Sequence, residues 1–273
     1  MPDVVKSKEC EKFNNSTVLE GMTSISALIG GIRSGTNTRS IQTVFFDESK
    51  RISKKKELSF LSAVSRELGF SLQPAKDSDI DRMTVGTSHG GIVAVCSERS
   101  LPSLESLLSA DSSPFHRSDS FFAMLEGMED PYNFGYALRS LYAAGVDGVI
   151  LNPRNWMGAA GVVARASAGA SELLPMSVSD AATAADMLQK RGYRIVCAGI
   201  RDSVSLYEAD LKKPLFLVVG GEKRGISRAV LDLADEIVRI DYGRPFRGSL
   251  SAASAATVLG FEILRQNMKS VKM

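Results

Sequence analysis

The sequence predicts an α/β protein built from two domains, and three observations carry that expectation. Apolar runs of strand length alternate with segments of helical spacing in both halves of the chain. A serine-rich stretch with two prolines, 101–119, interrupts the alternation and reads as a linker that holds a short helix over 104–108. Two late strands, 215–219 and 236–241, end in loops rich in glycine, the kind of edge at which α/β sheets bind ligands. The expected division is a frayed N-terminus over 1–16, a smaller α/β domain over 17–100, the linker, and a larger domain over 120–273.

The first domain begins with a helical pattern over 17–31 that the pair Gly30-Gly31 is expected to stop. Ile41–Asp47 reads as a strand. A basic run centred on Lys54, Lys55 and Lys56 follows; it is either a solvated helix start or a phosphate-contacting patch. An amphipathic helix over 58–68 should end at Gly69. A short strand and a helix are expected over 70–86, then a buried strand over 89–97 that starts at His89-Gly90-Gly91.

In the second domain 121–127 reads as the first strand. Pro131 fixes φ at the start of a turn, and Asn133 is expected to cap a helix over 134–144, closed by Gly145. Strands follow over 146–151 and 194–198, with a helix over 180–192 between them. A small-residue segment, 155–170, should hold a close-packed helix around 162–166, and Trp156 reads as a packing residue. The strand 215–219 runs into Gly220-Gly221, where only glycine allows close backbone approach or positive φ. Glu222, Lys223, Arg224 and Gly225 complete that loop, with Ser227 as a cap. After 236–241 comes GRPFRGS, and Ser249 is expected to cap the last helix. Two such glycine-tipped transitions form a backbone-lined pocket suited to a flat, polar-edged molecule such as a nucleoside.

Composition bounds the function. The 273 residues allow one large or two ordinary domains. Apolar residues at 44% and charged residues at 23% are the proportions of a globular chain with a full core. A net charge of +2 is weakly basic, so nucleic-acid contact would come from local patches. Cys10, Cys96 and Cys197 lack metal-ligand spacing and read as free thiols in a reducing compartment. With His89 and His116 the only histidines, no metal site is expected. No secretory signal and no apolar run of bilayer length stands in the sequence, so the expectation is a cytoplasmic protein without membrane contact. GGEKRG is no Walker loop, the dinucleotide fingerprint of an oxidoreductase is missing, and the spacing of Ser249, Ser251 and Lys223 does not support an amidase.

Three stretches carry a resemblance. NFGYALR has the form N-x-G-x-x-x-R, GGEKRG approaches GSEGxG, and SLS approaches SLN. In that order they resemble the SpoU (TrmH-type) RNA 2′-O-ribose methyltransferases of the SPOUT superfamily. The resemblance implies a deep trefoil knot in the second domain, S-adenosyl-L-methionine as donor, and a homodimer. It implies a first domain akin to a small RNA-binding ribosomal protein, hence 23S ribosomal RNA as the substrate. The alternatives are a transfer-RNA methyltransferase, or a member that binds RNA or the ribosome and has lost catalysis. The donor would rest on Ala198, Gly199, Gly220, Glu222 and Ile240, with Ser249 and Leu250 closing over it. Arg139 would touch RNA and act on the hydroxyl, with Asn133, Glu222, Ser249 and Ser251 orienting groups around it. Lys54, Lys55, Arg224 and Arg247 would meet RNA phosphates. The departures are Ser251 in place of Asn, and a more basic pair of loops.

Overall fold

The protein is described from a computed structural model, which covers residues 17–85, 89–110, 119–152 and 159–268. Its Cα packing separates two compact units, with cuts at Ser100/Leu101, Arg154/Asn155 and Leu173/Leu174. The first unit therefore holds the N-terminal stretch together with an excursion that ends at Leu173. The second holds the rest.

The first unit is built on a four-stranded sheet. Its strands are β1 (Val18–Glu20), β2 (Ile41–Asp47), β3 (Ser71–Ala75) and β4 (Ile92–Cys96), in the order β1-β4-β2-β3. β4 runs antiparallel to β1 and β2, and β3 runs parallel to β2. The helices are α1 (Gly21–Arg33), α2 (Lys55–Leu68) and α3 (Asp77–Met83). Leu19, Ile25, Leu28, Val44, Leu61 and Ile92 form the core. Gly69 ends α2 in the left-handed conformation expected of a helix stop.

The start of this unit corrects the sequence reading. Val18, Leu19 and Glu20 are a strand, paired with Val95, Ala94 and Val93. The helix behind them runs through Gly30-Gly31 to Arg33, and Gly35 at φ 73° lies just beyond its end. The two glycines serve close approach. A Cβ at Gly31 would stand 2.1 Å from the Glu172 carbonyl oxygen, and one at Gly30 would stand 3.1 Å from Leu173 Cδ2. Glu172 belongs to α5 (Ala170–Leu173), which with α4 (Ala160–Ala166) makes up the described excursion.

A buried polar cluster fastens that excursion. Glu172 accepts from Arg39 Nε at 3.2 Å and from Asn37 Nδ2 at 2.8 Å, and Arg99 Nη1 donates to the Ser171 carbonyl at 2.6 Å. The side chains of Arg39 and Glu172 are only 1% and 3% exposed, so neither charge has water as a substitute partner.

The second unit is a seven-stranded sheet in which every described pairing is parallel. Its strands in chain order are β5 (Phe121–Glu126), β6 (Gly148–Leu151), β7 (Met176–Val178), β8 (Arg194–Ala198), β9 (Val204–Ser205), β10 (Leu215–Gly220) and β11 (Glu236–Arg239). In space the order is β7-β6-β5-β10-β8-β11-β9. A parallel sheet is covered on both faces, which is why FFAML and LFLVV are unbroken apolar runs. Phe121, Phe122 and Phe216 are fully buried, each contributing about 1.5–3 kcal/mol of hydrophobic stabilisation.

Within this unit α6 (Pro131–Ala143) packs on the C-terminal α7 (Ala252–Asn267), and Thr257 Oγ1 donates to Ser140 Oγ at 2.7 Å. The small residues of the last helix are spent here, since a Cβ at Gly260 would lie 3.2 Å from Ala144 Cβ. The stretch expected to be a linker is partly core. The short helix expected there is present as Leu104–Ser109, Ser103 bridges to Val178, and Leu104 and Leu108 pack beneath the sheet. The leucine spacing outweighs the serine-rich composition; 111–118 and 1–16 lie outside the described residues, as do Trp156, His116 and Cys10. Cys96 and Cys197 are buried thiols that desolvation pushes up to about 11 and about 12, which keeps both unreactive at neutral pH.

Replacing Glu172 by Ala should strand the buried Arg39 guanidinium and cost the first unit about 3–5 kcal/mol. Urea unfolding followed by amide exchange in α1 is the measurement. A loss below about 1 kcal/mol would mean that the cluster is not what fastens the excursion.

Candidate active site

Neighbouring strands β5, β10, β8 and β11 run parallel, so the loops that follow them emerge at one edge of the sheet. The loop after β10 is folded tightly on itself. Gly225 N donates to the Gly221 carbonyl at 3.0 Å, Gly225 has φ 64°, and a Cβ at Gly220 would stand 2.5 Å from the Gly225 carbonyl carbon. It also presses against the loop after β5. Gly221 N donates to the Glu126 carbonyl at 2.6 Å, and the Glu126 carboxylate accepts from Ser227 N at 3.1 Å. Glu126, missed in the sequence, therefore grips this loop at both ends; its only signal was a carboxylate closing an apolar strand.

The start of α6 corrects another expectation. Asp130, not Asn133, is the cap, accepting from Tyr132 N at 2.7 Å and from Asn133 N at 3.2 Å, with Pro131 in the first turn. This frees the Asn133 amide, whose Nδ2 donates to Glu222 Oε1 at 3.2 Å. Asn133 and Glu222 are thus joined, as two of the expected orienting groups. Lys223 is drawn to Glu129 at 2.6 Å, and that ion pair holds the Glu129 carboxyl below its usual range.

On the other side the loop after β8 is tied to β11, and the loop after β11 is tied to β9. Gly199 N donates to the Val238 carbonyl at 2.9 Å, and Ile237 Cγ2 would lie 2.7 Å from a Cβ there. Asp241 accepts from Ser205 Oγ and from Arg239 Nε, and Arg239 Nη1 donates to the Ser203 carbonyl at 2.6 Å. The Ser205 hydroxyl and then Arg239 hold the Asp241 carboxyl below its ordinary value of 3.8. Residues 241–250 are all exposed; inside that loop Leu250 N donates to Tyr242 Oη at 3.0 Å.

The match of the SpoU rRNA Methylase family model spans residues 120–261, more than half of the chain. The chain belongs to the SpoU rRNA methylase family. It is 32% identical over 209 residues to the 23S rRNA (guanosine-2′-O-)-methyltransferase RlmB of Shewanella oneidensis, covering 74% of this chain and 81% of that one. The AdoMet-bound rRNA methyltransferase of Sinorhizobium meliloti superposes with a TM-score of 0.75 at 21% identity, over 97% of this chain and 92% of that one. The SpoU methyltransferase AviRb of Streptomyces viridochromogenes, in complex with AdoMet, gives 0.73 at 22% identity, over 91% and 89%. These two structures share the α/β fold with its parallel sheet.

Against this family's expected site, Ala198, Gly199, Gly220, Glu222, Ile240, Ser249 and Leu250 all fall on the three loops or the strand ends that feed them. Ser249 does not cap the last helix. Ser251 does, accepting from Ser254 N at 3.1 Å, because it is the residue with extended backbone just before Ala252. Arg139 is exposed and makes no side-chain hydrogen bond or ion pair to Asn133 or Glu222 among the described residues. It lies six residues, or about 9 Å of helix rise, beyond Asn133. Arg224 and Arg247 are exposed on the loops after β10 and β11. No cluster of three metal-ligating side chains occurs among the described residues, nor any helix long and apolar enough to cross a membrane.

Because the Asp241 carboxyl is held low, the tie it makes is present above the ordinary aspartate pKa and is lost only as pH falls through the lowered value. Carbon NMR of the Asp241 carboxyl should show a midpoint below 3.8, and Asp241→Asn should raise amide exchange over 240–250 at neutral pH. An unshifted midpoint with unchanged exchange would remove Asp241 from the site.

Proposed function

We propose that this chain transfers a methyl group from S-adenosyl-L-methionine to a ribose 2′-hydroxyl of structured RNA, with 23S ribosomal RNA as substrate. The observation that supports this most is the delivery of three glycine-tipped loops to one edge of a parallel sheet, beside a fixed Asn133–Glu222 pair. The residues fit the donor. Ala198, Gly199 and Gly220 bring no bulky side chain, their loops offer backbone N–H and C=O groups for an adenine edge, and Glu222 supplies a carboxylate near a cationic ligand. The activity of the Shewanella relative supports the RNA and the ribose position.

S-adenosylmethionine brings its own activated methyl group, so the protein's work is alignment and help with one proton. Gly199, Gly220, Ile240, Ser249 and Leu250 hold the donor, and Asn133 fixes the Glu222 carboxylate. A guanidinium is a fixed planar cation and not a base, so Arg139 holds an RNA phosphate and stabilises the developing alkoxide. The proton leaves the hydroxyl to a phosphate oxygen or water. Arg224 and Arg247 extend the phosphate contacts. The trefoil knot implied by the resemblance belongs to this reading.

A homodimer belongs to it as well. Tyr132, Tyr136 and Tyr142 of α6 and Phe261 of α7 are 40–50% exposed, an unusual aromatic density for a surface left in water. The exposed Arg139 on the same helix is then available to a site completed by a second copy.

Ser251 favours a second reading, a family member that binds RNA without modifying it, because its Oγ is already engaged with Ser254.

With tritiated donor and ribosomal RNA, label should appear in ribose, and Arg139→Ala should lower kcat at least about 100-fold with the fold and sedimentation unchanged. Wild-type turnover in that variant would remove Arg139 from the mechanism. Label on a base, or RNA binding with no transfer that Ser251→Asn then restores, would replace the first reading.

A further inference from the structure

The first unit holds a groove of about 610 Å³ between α2 and the edge strand β3. That volume lies within the range of about 300–1,000 Å³ typical of ligand sites. Its floor is apolar, from Phe46, Leu58, Leu72 and Pro74. Lys55, Ser59, Ser62 and Arg66 recur at intervals of four, three and four along α2, so they form one stripe down the groove, and Arg51 joins them from the preceding turn. No carboxylate lines the groove.

Charge pairing separates these cations from several of their neighbours, although Lys56 and Lys76, which do not line the groove, also form no ion pair among the described residues. Four neighbouring cations are neutralised: Arg33 by Glu67, Lys50 by Asp47 and Asp77, Lys54 by Glu57, Arg82 by Asp79. Arg51 and Lys55 have no carboxylate partner among the described residues, and Arg66 Nε donates only to the Ser62 carbonyl, at 3.3 Å. The two nearest acids on α2, Glu57 and Glu67, are occupied elsewhere. Of the lysine pair expected to meet RNA, Lys54 is spent on Glu57, and Lys55 faces the groove.

We propose that this groove binds an unpaired segment of the RNA substrate. Arg51, Lys55 and Arg66 take consecutive phosphates, the apolar floor takes a base or ribose face, and the Ser59 and Ser62 hydroxyls reach a base edge or 2′-hydroxyl. Unpaired nucleotides fit because only they offer an apolar base face together with phosphate; a duplex hides the first. A peptide added along β3 fits less well, since Pro74 removes a backbone donor from that edge. The proposal rests on the reading that the substrate is RNA, and it locates a contact in a unit that carries none of the methyl-transfer loops.

The test uses the full-length protein and a fluorescent single-stranded ribosomal-RNA oligonucleotide, followed by anisotropy across a salt series. Arg51→Ala/Lys55→Ala/Arg66→Ala should weaken binding at least about 10-fold and flatten the log–log salt dependence by about 2, near 0.7 per lost phosphate contact. Ser62→Trp, which fills the groove and keeps its charge, should weaken binding comparably, while a hairpin duplex of equal length should bind both variants and wild type alike. Circular dichroism checks the fold, and calorimetry with S-adenosylmethionine should give unchanged donor affinity. Wild-type RNA affinity in either variant overturns the proposal, and so does displacement by an acidic peptide but not by RNA. Oligonucleotide binding that responds to the variants with no methyl transfer in any protein would overturn the proposed activity alone. Transfer at wild-type KM in the triple variant would overturn the groove alone.

Discussion

At Gly221 the loop after β10 passes so close to the loop after β5 that an added Cβ would sit 2.2 Å from the Gly127 carbonyl oxygen. No rotamer relieves a clash with backbone, so this crossing admits only glycine. The crossing fixes the next residue as well. Gly221 N is bonded to the Glu126 carbonyl, and Glu222 leaves the crossing toward Asn133 at the head of α6. The direction of the Glu222 carboxylate is therefore set by backbone contact two residues wide, with Glu126 closing the far end of the loop through Ser227.

That economy suits the chemistry. Methyl transfer from a sulfonium donor requires alignment more than unusual side chains. The candidate site is accordingly made of strand ends, glycines and a few polar ties such as Ser205–Asp241–Arg239. Polar ties of this sort orient loops without filling the space between them, which is what a pocket for a flat ligand needs.

Much of this was legible in the sequence, for a physical reason. Strands buried on both faces read as unbroken apolar runs, so β5, β8 and β10 were found nearly to the residue. Glycines after strands marked the loops, at Gly199, Gly220-Gly221 and Gly243. What was misread depended on partners distant in sequence. β1 is only three residues long, and its identity comes from β4, more than seventy residues on. Gly30-Gly31 looked like a stop because the carbonyl that demands them, at Glu172, lies far along the chain. The caps slipped by two or three residues, Asp130 for Asn133 and Ser251 for Ser249, because a cap is defined by where the backbone turns and not by residue type alone. The tie at Asp241 had no local signal at all.

The boundary between the units was the least legible feature, and the Glu172 cluster explains why. The segment that ends at Leu173 leaves after β6 and returns before β7, so in sequence it belongs with the strands of the second unit. Its small residues suggest generic close packing. Its one decisive residue is a glutamate, which composition would place in water. Yet Glu172 is nearly fully buried, between Arg39 and Asn37 of the first unit. A buried ion pair adds little net stability compared with apolar packing, but once one charge is committed the other becomes obligatory. Arg39 has lost its water, so a first unit cut as the continuous segment 17–100 would keep the arginine and discard its counter-charge. The unit is thus defined by satisfaction of buried charge, and its true extent includes residues the linear order assigns elsewhere.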